Sequence, residues 1–210
     1  KITKKDGSII ETLPLGIMAL EESFDKILIE RNNRREGLLF AIEDGANWKS
    51  TERSRELNLP RKVKGNRVFP SSISNFKVYN EGRILSDPKL KKQFDTAINL
   101  LDGLRSEKLK VSEAFDIDKL TLYVALSNLF GGGHGIIGSN IKIYYNPVTN
   151  KLEPITWDSA SGHKLDKIYD YSLFKIEDEV YTQKLIEKLE LVSSTEFLDN
   201  LINGFYDELR

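Results

Sequence analysis

Residues 115–162, FDIDKLTLYVALSNLFGGGHGIIGSNIKIYYNPVTNKLEPITWDSASG, govern the reading of the whole chain. A helix starts at Asp116, with Asp118 near the positive end of its dipole, and Ile117, Leu120, Val124 and Leu129 recur at helical spacing. The run Gly131 to Gly133 predicts its end. Two strand-forming runs follow, Ile141 to Tyr145 and Leu152 to Thr156, separated by the turn residues Asn146-Pro147 and Asn150. They predict a hairpin whose second strand delivers Asp158 at its exit. Gly133 to Gly138 also fits the spacing G-x-G-x-x-G, but a dinucleotide fingerprint needs a strand before it and a helix after it. Here the order is reversed, so no helix N-terminus faces a pyrophosphate.

Upstream, Asp6-Gly7 predicts a hairpin between residues 1–5 and 8–12, with Leu15 to Leu20 extending the sheet. Phe24, Ile27 and Leu28 share one face of a helix over Ser23 to Asn33, Gly37 stops it, and Leu38 to Ile42 is an apolar strand. From Asp44 to Asn80 the sequence turns polar and irregular, interrupted by Gly45, Pro60, Gly65 and Pro70, which predicts an ordered insert or a mobile loop region and a candidate boundary. On that reading residues 1–48 form a partial sheet-and-helix unit. Residues 49–210 form a mainly helical unit carrying the hairpin that ends at Asp158. Asp87-Pro88 marks a helix start, with the helix running to about Leu101, and the tail from Asp178 to Leu209 predicts two helices broken near Ser193-Ser194.

Composition removes several classes of function. The 31 basic residues are balanced by 32 acids, so there is no general attraction for nucleic acid, and the local patch of Arg61, Lys62, Lys64 and Arg67 reads as a solvated loop. The chain has no cysteine, which excludes a disulfide framework, thiolate zinc and cysteine catalysis. No apolar run is long enough to span a membrane. Starting at Lys1 without an initiator Met or a signal-like apolar stretch, the chain reads as a processed or N-terminally incomplete form.

Asn140 and Asp158, at opposite ends of the expected hairpin, provide an amide and a carboxylate, the hard oxygen donors that Mg²⁺ takes. Helix, loop, Asn, hairpin, Asp is also the order in which protein kinases present their catalytic-loop Asn and the Asp of D-F-G. Taken alone, Asn140 is equally a turn residue at a strand start and Asp158 equally an Asx-turn residue. Residues Asn140, Tyr144 or Tyr145, Pro154, Ile155, Trp157 and Asp158 together resemble the signature of the spore coat protein H (CotH) kinase family. There a helix and loop lead to an Asn, a tyrosine-bearing strand and a Pro-Ile-x-Trp-Asp ending. A second block, LGIMALEESFDKILIERNNRREGLLF from Leu15 to Phe40, resembles the family's Gly-x-Tyr-x-x-x-Glu strand and the helix after it.

The resemblance implies an α+β, atypical protein-kinase-like fold, N-terminally incomplete here, with a small antiparallel sheet in its N-terminal part and a mainly helical C-terminal part. It implies a phosphotransferase using ATP and Mg or Mn on protein substrates, in an extracytoplasmic or spore-surface setting. Asn140 and Asp158 become metal ligands, Asp158 with a catalytic role, and Asn140 and Glu22 become nucleotide-site residues. Glu22 on its own is equally an exposed acid at a helix start.

The sequence departs from the family in three places. His134, six residues before Asn140, stands where the family offers an Asp, and the kinase pattern H-R-D-x-x-x-x-N spaces these by five. Ser159-Ala160 replace a second acid after Trp157-Asp158, and no strand bearing a phosphate-binding Lys or Arg precedes Lys5. An imidazole ordinarily titrates near neutrality, so His134 is a candidate catalytic base; flanked by glycines, it is equally a loop residue without chemistry. His163 also invites a zinc reading with His134 and Asp158, although only three ligands can be named. The departures leave open a non-catalytic module of the same type that binds a protein or polymer partner. Of the adjacent tyrosines Tyr144 and Tyr145, strand alternation sends one ring to the core and one outward.

Overall fold

The structure, a computed structural model, describes residues 2–3, 9–11, 23–43, 45–57, 75–136, 138–164, 166–171 and 177–208. Near the N-terminus β1 (Ile2–Thr3) and β2 (Ile9–Glu11) pair antiparallel, as the Asp6-Gly7 turn predicts. The expected strand from Leu15 to Leu20 lies outside the described residues.

The main sheet is four-stranded and antiparallel. It comprises β3 (Leu38–Ile42), β4 (Phe76–Val78), β5 (Lys142–Asn146) and β6 (Lys151–Ile155), in the order β4-β3-β5-β6. The β5–β6 hairpin lies within a residue of the expected strand bounds. In its turn Asn146 Oδ1 accepts from the Val148 amide at 2.9 Å, and Asn150 adopts a left-handed φ of 54°. The sheet draws β3 from before residue 48 and β5 and β6 from after it. The structure is therefore α+β, with its larger sheet built from strands far apart in the sequence.

Strand alternation sorts the side chains between two cores. Phe40, Val78, Ile143, Tyr145 and Leu152 enter the larger one, whereas Leu39 and Tyr144 join Ile29 in a smaller cluster on the opposite face. The expectation of one tyrosine inward and one outward holds only for direction. Tyr144 is 4% exposed and Tyr145 2%, because α1 (Lys26–Arg31) closes over the second face. The Tyr144 hydroxyl donates to the Arg35 carbonyl at 2.6 Å; burial first, then the charge of Glu153, pushes its pKa up to about 12, with Arg34 opposing.

Helix α2 (Gly45–Glu56) shows that the first part of the polar stretch 44–80 is regular and not irregular chain, the ordered one of the two alternatives. Lys49, Glu52, Arg53, Arg55 and Glu56 are exposed on it, so it presents no apolar periodicity to read. The stretch 58–74, including the basic patch, lies outside the described residues. Short α3 (Glu81–Ser86) leads into α4 (Pro88–Arg105), which starts as expected. Asp87 Oδ1 accepts from the Lys89 and Leu90 amides at 2.8 and 3.3 Å, and Pro88 occupies the first turn. This helix continues a turn beyond Leu101. Its buried Leu90, Ala97, Leu101 and Leu104 follow one face, and each fully buried leucine contributes roughly 1.5–3 kcal/mol, far more than helix propensity adds per residue.

After α5 (Val111–Ala114) comes α6 (Ile117–Leu129), capped by Asp116. The tail forms α7 (Glu179–Ser193) and α8 (Thr195–Glu208), separated at Ser194 as expected. Among the described residues no helix is long and apolar enough to cross a membrane.

Two buried carboxylates tie the parts together. Glu153 on β6, 3% exposed, accepts from Lys119 Nζ at 2.8 Å and Asn146 Nδ2 at 2.7 Å and pairs with Arg34 at 3.0 Å. Asp178 caps α7, accepting from the Tyr181 amide at 3.2 Å, and also accepts from the Ser112 amide at 2.8 Å, which fastens α5 to α7. Burial alone raises the Asp178 pKa, but the hydrogen bonds from Ser112 and from the Tyr181 and Val180 amides prevail and lower it below the usual aspartate value. Such a group adds stability at pH values above its unfolded pKa, and that stability is lost as pH falls through the folded one. Urea titrations are expected to show the unfolding free energy declining as pH drops below about 4, with a flatter decline in Asp178→Asn. An equally steep decline in the variant would assign the acid sensitivity to other groups.

Candidate functional site

The site begins where α6 ends. Phe130 caps the helix and Gly131 follows in the left-handed conformation, φ 64°; the Gly132 amide reaches back to the Ser127 carbonyl at 2.6 Å and the Gly131 amide to Asn128 at 3.1 Å. This is a Schellman ending, which a glycine adopts without a Cβ penalty. A Cβ on Gly131 would also lie 2.0 Å from the His163 carbonyl. The chain then makes two short 3₁₀ turns, Gly133–Ile136 bearing His134 and Gly138–Asn140 ending on Asn140, before entering β5.

On the other side of the hairpin, β6 gives way to Trp157 and Asp158. Asp158 and Ala160 both have left-handed backbones, φ 43° and 47°, and the segment is pinned back to α6 by the Gly162 amide donating to Phe130 at 2.8 Å. Asn128 secures the chain beyond, donating to the Tyr169 carbonyl and accepting from the Tyr169 amide, both at 2.7 Å.

His134, Asn140 and Asp158 meet at one place. His134 Nδ1 is 3.0 Å from the Asp158 carbonyl oxygen and 3.4 Å from its carboxylate. Asn140 Nδ2 lies 2.9 Å from Nδ1, 3.2 Å from Nε2 and 3.3 Å from the His134 carbonyl. A carbonyl only accepts, so the contact with the Asp158 carbonyl puts the ring proton on Nδ1, while Asn140 Nδ2, nearly equidistant from both ring nitrogens, is aligned with the lone pair of neither. The imidazole is half-exposed and sits between the amide and the carboxylate.

Asn140 and Asp158 open onto a cleft of about 360 Å³ over the second face of the sheet. Its floor includes Ala41 and Lys142, with Lys77 on one side, Glu43 and Gly45 at one end and Tyr79 and Trp157 among its walls. Beside it Phe24 stacks on Tyr79 at 5.2 Å between ring centroids and meets Trp157 edge-on at 4.9 Å. Lys142 Nζ donates to the Ser139 carbonyl at 2.8 Å, and Glu43 accepts from the Gly45 amide at 3.3 Å. Sequence reasoning missed both lysines. Their neighbourhood follows from cross-strand register, which no local motif announces.

The donor chemistry suits magnesium. The Asn140 side-chain carbonyl and the Asp158 carboxylate are hard oxygens, and Mg²⁺ commonly takes one or two protein ligands and completes its shell with waters and phosphate. Zinc fits less well: among the described residues no three His, Asp or Glu side chains gather at one point, so His163 does not join His134 and Asp158. Glu22 lies outside the described residues.

In comparisons with known proteins, the sequence matches no family model and no curated protein.

A left-handed alanine is disfavoured by about 1–2 kcal/mol, whereas glycine adopts this conformation freely and gives back part of that gain through its more flexible unfolded chain. Ala160→Gly is therefore expected to stabilise the protein by up to about 1 kcal/mol, raising the Tm by roughly 2–4 °C in a chain of this size. A lower Tm would contradict the left-handed backbone at this position.

Proposed function

We propose that the chain is an ATP- and metal-dependent phosphotransferase of the CotH kinase type, with a kinase-like arrangement of its parts and protein hydroxyls as acceptors. The observation that carries the reading is the meeting of Asn140 and Asp158 about one imidazole at the mouth of a cleft, although a full hairpin separates them in the chain. The resemblance of residues 15–40 and 115–162 to the family supports it.

On this reading Asn140 and Asp158 hold the divalent ion. When bound, that ion supplies positive charge to the oxygens of the transferred phosphoryl group. Catalysis in such sites consists of positioning and charge neutralisation, so the protein's task is to hold its groups still. The Schellman turn and the bond from Gly162 to Phe130 serve that task. His134 Nε2 is the atom that takes the proton of the attacking hydroxyl, with its ring oriented through Nδ1 by the Asp158 carbonyl.

One observation favours a second reading, a non-catalytic module of the same type that binds a protein or polymer partner. After Trp157-Asp158 the chain offers Ser159 and Ala160 and no second carboxylate for an ion. Phosphate transfer from labelled ATP, with Mg²⁺ and Mn²⁺ supplied separately, decides between the two. Asp158→Asn is expected to abolish transfer with little change in Tm, because this exposed carboxylate does not support the core. His134→Ala is expected to lower the rate by roughly 10² to 10⁴ if the imidazole is the base. ATP binding in calorimetry without any transfer favours the binding module, and absence of ATP binding overturns the phosphotransferase reading.

A further inference from the structure

The register of the main sheet places Lys77 of β4 opposite Ala41 of β3, and Ala41 opposite Lys142 of β5. Residues directly opposite in antiparallel strands project to the same face. The two lysines therefore stand on the cleft side with only a methyl group between them, their backbones two strand spacings, roughly 10 Å, apart. All three residues line the cleft onto which Asn140 and Asp158 open. Phe24, Leu28 and Ile29 cover the neighbouring part of this sheet face, packing on Leu39 and Tyr144, so the row at Ala41 borders the covered region.

Charge narrows the class of ligand. The ammonium groups of Lys77 and Lys142 are balanced in the cleft by the carboxylates of Glu43 and Asp158. Lys142 is buried at 9% exposure and held by the Ser139 carbonyl, whereas Lys77 is exposed and makes no ion pair among the described residues. A bare anion gains attraction from the lysines but meets repulsion from Asp158. A polyphosphate carrying a divalent ion complements both ends: the ion faces Asp158 and Asn140, and the phosphate oxygens face the lysine row.

We propose that Lys77 and Lys142, spaced by Ala41, form a two-point cradle for the polyphosphate chain of a metal-bound nucleoside triphosphate. The cradle takes the part that an upstream strand with a Lys or Arg plays in the sequence-based expectation. It rests on the reading that this cleft takes a nucleotide with its metal. It adds which residues grip the ligand and which part of the ligand they grip. Binding energy then comes mainly from the phosphates and their ion, and the base contributes through the aromatic wall at Tyr79 and Trp157.

Calorimetry with ATP, inorganic tripolyphosphate and adenosine, each with and without Mg²⁺, tests this on the wild-type protein and on Lys77→Gln and Lys142→Gln. Wild type is expected to bind ATP and tripolyphosphate only with Mg²⁺. Each substitution is expected to weaken both by roughly ten- to a hundredfold, the loss of one charge-assisted contact, while leaving any adenosine binding unchanged. Lys77 is exposed, so its variant keeps the test open should Lys142→Gln fail to fold. Lys142→Arg, which retains the charge, is expected to recover part of the affinity. Unchanged Mg–ATP affinity in Lys77→Gln and in a folded Lys142→Gln overturns the cradle and leaves the phosphotransferase reading standing. Equal binding of tripolyphosphate without Mg²⁺ overturns the argument from charge balance. If wild type takes up neither ATP nor tripolyphosphate, both the cradle and the reading beneath it fall.

Discussion

Strand β5 is hydrogen-bonded along both edges, to β3 and to β6, and all five of its residues are buried. A strand so placed cannot slip by one residue without exchanging Ile143 and Tyr145 for Lys142 and Tyr144 in the larger core. That constraint locates the candidate chemistry. Asn140 ends the turn just before β5, Lys142 is its first residue, and the hairpin it forms with β6 returns the chain to Asp158. Three groups of the site are thus fixed by one register, which is why they are held closely although none belongs to the core.

What the sheet leaves free, the return segment constrains. Asp158 and Ala160 keep left-handed backbones only because neighbouring contacts outweigh the local cost. The Gly162 amide is bound to the end of α6, Gly131 admits the His163 backbone where any side chain would collide, and the His134 ring holds the Asp158 carbonyl. The glycine run therefore does two things: it ends a helix, and it makes room for the segment that carries the carboxylate.

Much of the framework was legible because it rests on local chemistry. Asp87-Pro88, the glycines after Leu129, the Asn146 to Asn150 turn and the Ser193-Ser194 break each act on a neighbouring backbone group, and each lies within a residue or two of where it was read. Helix α2 was not legible, since the described side chains along it are mostly exposed and charged and a search for apolar periodicity passes over such a helix. The burial of Tyr144 was half legible: alternation gives its direction, but the covering helix is a tertiary fact. In the site, the order Asn140 then Asp158 could be read along the chain. The engagement of His134 with both, and the presence of Lys77 and Lys142 in the same cleft, depend on which strands pair, and that information is spread over residues 38–155 with no local signature.

The two outer strands of the main sheet also bear on how this protein behaves in a crowd of its own copies. An open strand edge is a template for another chain, and long, flat, apolar edges lead to aggregation. Here β4 spans only three residues and carries an exposed lysine at its centre. On the far side β6 carries Pro154, which lacks the amide hydrogen that an added strand would need. The proline that belongs to the Pro-Ile-x-Trp-Asp pattern thus acts as a guard against intermolecular β-pairing, independently of any role near Asp158.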